Sequence, residues 1–583
     1  MLAAWAFSHL TGFLARSRDR RMERPAGLAY WLDGRPGILA SLILAFQQQA
    51  IQSVYYVLPV TVAVAITQDP GQVTRFLCLS ILAAAIWQAL QVLTRGPIGS
   101  GYPIPGTQTA ACLSACLLTV SNGGGFAAMG AMVCIMGVAS FGLTFVTQRL
   151  RVVLPNEVAG VVVLLIGVAL IDLGARQLGL HAGGTSRGPV AFAVVVVSVL
   201  VMTAVALSNT RFAPFAVLIG AKVGVILSLW VGESEPDAMS IIAAQPWLAL
   251  PRPFVPDFAQ ISATPMIAFL LALVATQATA AGDLVMLQRS ADSSWTRPDG
   301  LPLDRGLLAN ALAIIAAGLI GGAAPGPSTA AVGLSLATGT LARRVIWFGV
   351  AIMVALAFCP KVIAAFVLMP APVNAAMLLY VSGFIMAQGC QLMTARLLDT
   401  RRMMVVAFGL SSGMLVTVTP RVFEANVPSL ASPLALGALV AFVMNLVTLP
   451  LVARRAHIGL TLDIMAGRAA SEWIGRLAGA WGLKRATAQA AERALVELTE
   501  LLMARGLPAM ELRASRLEDR VELDLTWIGQ KLPEPIHSPS PEDLLGDTDS
   551  QEQFMVWLAT RGAQRFTQRE TQHGSEARLV FED

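Results

Sequence analysis

From residue 37 to residue 453 the chain repeats one pattern: apolar runs of about 20 residues, separated by short polar breaks that carry arginine. A run of that length is what an α-helix needs to cross the hydrocarbon core of a bilayer. The pattern predicts fourteen spans, at 37–66, 71–94, 105–120, 124–147, 153–173, 188–208, 213–232, 262–288, 305–322, 326–340, 345–366, 372–392, 402–419 and 432–453. The third and tenth are too short and too broken to be ordinary helices. Beyond 453 the pattern changes. Ala491, Leu495, Leu498, Leu501 and Leu502 fall at helical spacing, whereas Met510–Ala514, Val521–Leu525 and Ala577–Phe581 read as strands.

The two broken spans share a motif. Pro105-Gly106-Thr107-Gln108-Thr109-Ala110-Ala111 returns as Pro325-Gly326-Pro327-Ser328-Thr329-Ala330-Ala331. Interrupted hydrophobic segments at matching places in two halves point to a transporter binding site. Irregular backbone at membrane depth is tolerated only where protein buries it or a cavity hydrates it. Fourteen spans split as seven plus seven, and an odd-numbered repeat inverts its second copy.

The predicted fold is therefore an all-α polytopic membrane protein, a 7+7 inverted repeat with broken third and tenth spans, plus a small C-terminal α/β cytoplasmic domain. Its parts are an amphipathic and basic cytoplasmic segment (1–35), a first repeat (36–232), an external loop (233–261), a second repeat (262–453) and a soluble domain (454–583).

Composition agrees. Of 583 residues, 55% are hydrophobic and 13% charged, against about 25% charged in soluble proteins. The net charge of +5 lies at span ends and calls for no nucleic-acid partner. Arg95, Arg149, Arg151, Arg211, Arg289, Arg343, Arg344, Arg396, Arg401 and Arg402 fall in connections on one side, and Glu233, Glu235 and Asp237 in a loop on the other. Basic loops face inward, which predicts an inner-membrane protein with both termini cytoplasmic. The N-terminal apolar stretch precedes its basic cluster, the reverse of a signal peptide, and reads as a surface helix. The six cysteines lie in or beside spans without metal-ligand spacing. All five histidines lie outside the spans, which argues against a histidine proton relay. No nucleophile–base pair suggests an enzyme.

Short helices starting near Thr109 and Thr329 would aim unpaired N–H groups at the midplane. Thr107, Gln108, Thr109, Ser328 and Thr329 add neutral hydrogen-bonding groups. Asp283 is an ionisable group at membrane depth, a functional hypothesis by default; it either carries a coupling proton or sits hydrated near a span end. Gln48 among Gln47, Gln48, Gln49 and Gln52, and Gln277 with Thr279, serve either as packing glue or as substrate contacts.

Tyr30-Trp31-Leu32-Asp33-Gly34-Arg35-Pro36, Phe46-Gln47-Gln48, Ala280-Ala281-Gly282-Asp283, Gly333 with Thr338, Cys359-Pro360-Lys361 and Met369-Pro370-Ala371-Pro372 occur in this order. With that spacing, residues 28–453 resemble the nucleobase–ascorbate transporters, the xanthine/uracil permease family. The resemblance implies a core domain of spans 1–4 and 8–11 that holds substrate and a gate domain of spans 5–7 and 12–14. It also implies a homodimer through the gate, and uptake of a purine or pyrimidine base driven by the proton gradient with no cofactor. Four base-reading positions depart from the family. Thr279 stands where relatives carry glutamate, Ala330 and Ala331 where they carry a polar pair, and Gln48 where a histidine often follows the first-span glutamine. These departures keep two other readings open: a small-anion carrier of the same fold, or a membrane sensor signalling through residues 454–583 to an unknown partner. That C-terminal domain also resembles the histidine-kinase-type ATPase fold of anti-sigma factors, without recognisable nucleotide-binding boxes.

Overall fold

Helices dominate wherever the sequence is continuously apolar, because a backbone in hydrocarbon must satisfy its own hydrogen bonds. The computed structural model describes residues 22–150, 156–179, 188–208, 212, 215–233, 237–293, 299–394, 400–427, 430, 433–448, 454–481, 483, 485–517, 520–534, 548–571 and 574–582. The surface helix expected at 2–14 lies outside them. Two units separate, Met1–Asn445 and Leu446–Asp583.

The first unit begins with α1 (Ile38–Gln52) and α2 (Val57–Ile66), one span tightened into a 3-10 turn at Ser53–Tyr56. α3 (Pro70–Val92) starts with proline at its first position and Asp69 accepting from the Gly71 amide. There follow β1 (Gly106–Gln108), α4 (Leu113–Ser121), α5 (Phe126–Leu150), α6 (Asn156–Gln177), α7 (Gly188–Leu207), α8 (Ala216–Val231) and α9 (Ala238–Ala244). The second half holds α10 (Ala263–Ala291), α11 (Gly300–Ile320), β2 (Pro325–Pro327), α12 (Thr329–Ala337), α13 (Arg343–Ala357), α14 (Pro360–Val367), α15 (Ala371–Met393), α16 (Thr400–Val418), α17 (Pro420–Asn426) and α18 (Pro433–Thr448).

Among the described residues, nine helical segments are long and apolar enough to cross a membrane, or ten if α13 and α14, bent by 83°, count as one. The α4, α8 and α18 segments are shorter apolar helices. Fewer segments than the predicted fourteen are thus full-length helices. The span predicted at 345–366 is not one straight helix: it is broken before Pro360, between α13 and α14. Proline lacks the amide that would continue the ladder.

Small residues bring the helices close. A Cβ on Gly318 would sit 2.5 Å from the Cys134 amide, which clasps α11 to α5. Gly160 and Gly167 do the same for α6 against Met393 and Met386 of α15. Backbone approach of this kind is how helices gain packing energy where no hydrophobic drive exists between them.

Residues 22–36, the described end of the N-terminal segment and the start of the first repeat, are docked. Tyr30 bridges to Thr340, Trp31 Nε1 donates to the Ala291 carbonyl at 2.8 Å, and the Glu23 amide donates to Asp292 at 3.0 Å. Leu32 is buried beside Trp87, Tyr102 and Leu341. The predicted external loop is likewise pinned: Arg75 lies 3.9 Å over the Phe254 ring, which stacks on Phe126 at 4.5 Å.

The second unit is an antiparallel sheet of order β3-β4-β5-β7-β6, made of β3 (Arg454–Thr461), β4 (Ala509–Leu517), β5 (Arg520–Trp527), β6 (Arg565–Thr571) and β7 (Gly574–Glu582). Helices α19 (Ala466–Trp481), α20 (Arg485–Ala504) and α21 (Thr548–Thr560) complete it. Val521, Leu523, Leu525 and Trp527 turn to the core with Leu512, Leu579 and Leu498, and Asp524 turns outward to pair with Arg578 at 2.6 Å. The three strands read from the sequence are all present. The two missed strands, β3 and β6, are the sheet edges, where charged residues interrupt the apolar alternation.

Candidate functional site

The two Pro-Gly breaks meet. β1 and β2 pair antiparallel, with Gly106 opposite Pro327, Thr107 opposite Gly326 and Gln108 opposite Pro325. The ladder is extended by the Thr109 amide donating to the Ala324 carbonyl at 3.0 Å and the Ser328 amide to the Pro105 carbonyl at 2.9 Å. Exchanging the two motif copies maps each pair onto another pair, so the crossing has a local pseudo-two-fold axis. Proline holds each strand extended and donates nothing, which suits a ladder only two strands wide.

Each strand leads into a helix. Thr109 precedes a 3-10 turn at Ala110–Cys112 and then α4; Ser328 caps α12, its Oγ accepting from the Ala331 amide at 3.4 Å. The helix starts expected near Thr109 and Thr329 are therefore present. β1 is held against α3 by the Gly106 amide donating to Gln88 Oε1 at 2.9 Å.

Side chains from α1 and α10 close in. Asp283 is 3% exposed, and its Oδ2 accepts from Thr329 Oγ1 at 2.9 Å. The carboxylate sits at the start of α12, where the helix dipole favours negative charge. Gln48 Nε2 donates to Ser335 Oγ at 2.9 Å, tying α1 to α12, while Gln48 Oε1 is buried without a partner. Gln108 Nε2 is also buried and unpartnered, its Oε1 accepting from Thr107 Oγ1 at 3.5 Å. Thr109 Oγ1 lies 3.4 Å from Thr276 Oγ1. Ala331 is fully buried and Ala330 half-buried, adding surface but no polar side chain. Thr279 spends its hydroxyl hydrogen on the Ala275 carbonyl at 2.9 Å.

Gln277 goes elsewhere. It follows Thr276 by about 100° around α10, its Nε2 donating closely to Ser140 Oγ on α5 and its Oε1 accepting from Asn310 Nδ2 at 3.2 Å. Asn310 Oδ1 in turn accepts from Trp87 Nε1 at 2.6 Å. This buried chain couples α3, α11, α10 and α5, and takes up both amide atoms of Gln277.

Sequence reasoning missed Asn310, Trp87, Gln88 and Tyr55. Tyr55 belongs to the 3-10 turn that packs against β1, within electrostatic reach of Asp283. A polar Gln52-Ser53 step inside an apolar span was the available signal, since mid-helix 3-10 geometry often marks a functional hinge.

A bundle of apolar helices around two paired, buried strands, with the Asp283 carboxylate bonded at the start of α12, has the make-up of a multi-pass membrane permease. The profile of a family described as "Permease family", the xanthine/uracil permeases, matches residues 40–422, and the chain belongs to that family. It is similar to the xanthine permease of Bacillus subtilis, 23% identical over 400 residues, covering 68% of this chain and 89% of that one. The uric acid permease PucJ of the same organism is 24% identical over 376 residues, covering 63% and 82%. The xanthine permease XanP of Escherichia coli K12 is 24% identical over 454 residues, covering 73% and 95%. Among solved structures, the transmembrane domain of a cyanobacterium bicarbonate transporter, BicA, aligns with a TM-score of 0.46 and 15% identity, covering 70% of this chain and 97% of that one. SLC26A9 aligns at 0.49 and 12%, covering 73% and 68%.

Proposed function

We propose that the protein is a secondary active transporter that carries a purine or pyrimidine base, xanthine- or uracil-like, across the inner membrane with protons. The observation that carries this is the pair of orphaned buried amide atoms, Gln48 Oε1 on α1 and Gln108 Nε2 on β1, in elements that pack with the crossing, together with the Asp283 carboxylate bonded to Thr329. A free acceptor, a free donor and a carboxylate match the alternating donors and acceptors of a base edge. A buried polar atom without a partner costs about 1–3 kcal/mol, which a ligand that pairs it recovers. The xanthine and uric acid permeases among the relatives favour the same substrate class.

In this reading Thr107, Thr109, Ser328 and Thr329 shape the polar wall, and Ala330 and Ala331 leave room where a bulkier ligand-reading pair would stand. Gln277 holds the wall in place from behind. Asp283 carries the coupling proton and passes its hydrogen bond with Thr329 between loaded and empty states. The local two-fold of the crossing supports fourteen segments in a 7+7 inverted arrangement, with both termini cytoplasmic and two copies joined through the gate helices. The small-anion reading is disfavoured by charge, because Asp283 would repel an anion and the side chains of Thr107, Gln108, Thr109, Ser328 and Thr329 are neutral.

The test is uptake into liposomes by the purified full chain, offered labelled xanthine, uracil and sulfate under an inward proton gradient. Accumulation of a base that collapses when the gradient is dissipated is expected, and Asp283→Asn should transport without proton drive. Gradient-driven accumulation by Asp283→Asn equal to the parent refutes the coupling role. Sulfate flux without base flux restores the anion reading, and binding without flux favours a sensor.

A further inference from the structure

The first unit carries a cavity of about 720 Å³ away from the crossing, lined by Leu32, Asp33, Arg35, Arg343, Arg344, Trp347, Phe348 and Ala351 among others. It opens where two membrane helices begin, α1 at Ile38 and α13 at Arg343. Its two ends differ chemically. One end is basic: Arg343 is paired with Asp33, and neither Arg35 nor Arg344 has a carboxylate partner among the described residues. The Arg344 guanidinium lies 5.8 Å over the Phe348 ring. The start of α13 has no side-chain cap, Ala342 standing at that position, which adds the positive end of the helix dipole. The other end is apolar and open: Trp347 is 46% exposed, and Ile38 and Leu39 on the adjoining α1 are 63% and 72% exposed.

The geometry points to a binding site for one anionic phospholipid of the surrounding bilayer. Its phosphate sits between Arg35 and Arg344, and an acyl chain lies along Trp347, Phe348 and Ala351. Three features select this occupant. Two positive charges without protein counter-ions attract an anion, and basic pockets at helix ends recruit anionic headgroups. An indole at the level where spans enter the membrane is the usual interfacial anchor. The apolar end adjoins the exposed start of α1 at Ile38 and Leu39, so the same molecule satisfies both ends. Because residues 32–35 form one wall and the adjoining Tyr30 is bonded to Thr340 and Leu341, an occupied site also holds that segment against the end of α12.

Native mass spectrometry of the full-length protein, given phosphatidylglycerol or phosphatidylcholine, tests the proposal. Preferential retention of phosphatidylglycerol is expected. Arg35→Gln with Arg344→Gln should weaken it about thirtyfold, two charges each contributing on the order of one decade or somewhat less. Ala351→Trp, which fills the exposed apolar end and leaves both arginines, should weaken it as well and serves if the double variant does not fold. Equal retention of the two lipids, undiminished phosphatidylglycerol binding in both variants, or displacement by inorganic phosphate alone would each overturn the assignment.

Discussion

Gly106 and Gly326 occupy the same position in the two copies of the motif, yet they should not tolerate alanine equally. A Cβ on Gly106 would lie 2.7 Å from Trp87 Cε3 and 2.9 Å from the Ala84 carbonyl oxygen. Carbon atoms in contact rest at about 3.5–4.0 Å, so β1 or Trp87 must move by about 1 Å. Trp87 is fully buried and bonded to Asn310, and the opposing carbonyl belongs to helix backbone. Overpacking of such a site costs about 1–3 kcal/mol, and displacing β1 also strains the Gly106–Gln88 hydrogen bond, worth about 1 kcal/mol. At Gly326 the nearest atom is Thr109 Cβ at 3.1 Å, then Thr109 Oγ1 at 3.5 Å. A shift of about half an ångström by one threonine accommodates it, at a cost of about 1 kcal/mol or less. Neither glycine has positive φ, and the unfolded-state benefit of alanine is common to both. Gly106→Ala should therefore be less stable than Gly326→Ala by about 2 kcal/mol, near thirtyfold in the folded population. Thermal unfolding of the two full-length variants in one detergent reads this directly. Equal melting temperatures, or a lower one for Gly326→Ala, would refute the packing argument.

Asn310→Ala strands the Trp87 indole N–H and part of the Gln277 amide, and should lower stability by about 1–3 kcal/mol without altering substrate selectivity; a changed preference between xanthine and uracil would make Asn310 a ligand contact instead. Arg402 lies 3.3 Å from Glu157, which is 1% exposed, so Arg402→Ala leaves a buried charge and should cost about 3–5 kcal/mol; Glu157→Gln in the same background should recover much of it, and absence of recovery would show that the pair is not the cause. In the second unit, burial holds the Glu497 carboxyl above its ordinary value, with Arg561 opposing that shift, and its Oε2 has no partner. The protonated form is thus favoured by folding, and wild-type stability falls as pH rises from the unfolded carboxylate range through the folded value. Glu497→Gln should slow amide exchange across Arg485–Ala504 at neutral pH but not in acid, and an equal effect at both would exclude linkage.

The apolar runs marked nearly every membrane helix to within a few residues, α10 and α11 among them, because transfer into hydrocarbon depends on local composition. The β5 strand was legible for a similar reason: its period-two alternation is written in consecutive residues. Edge strands β3 and β6 were not, since their charged residues suit a solvated edge as well as a loop. Within the site, the motif located both helix starts, and Asp283 stood out as an unusual charge. Gln48 and Gln277 looked alike in sequence, two amides in apolar spans, and no local pattern separates them.

The amino-acid sequence by itself determined that this chain lives in a membrane, that it is broken at two related places, and that a carboxylate lies deep in one span. Hydrophobicity, proline geometry and charge are properties of short segments, so they can be read without the fold. Tertiary structure decided that the two breaks pair as strands and that Thr329 bonds Asp283. It also decided that Gln277 is consumed by Ser140 and Asn310 while Gln48 and Gln108 keep unpaired atoms. Hydrogen-bond satisfaction is settled by partners far away in the chain, and the same amide is structural or available according to what the packing of other helices places within 3 Å of it.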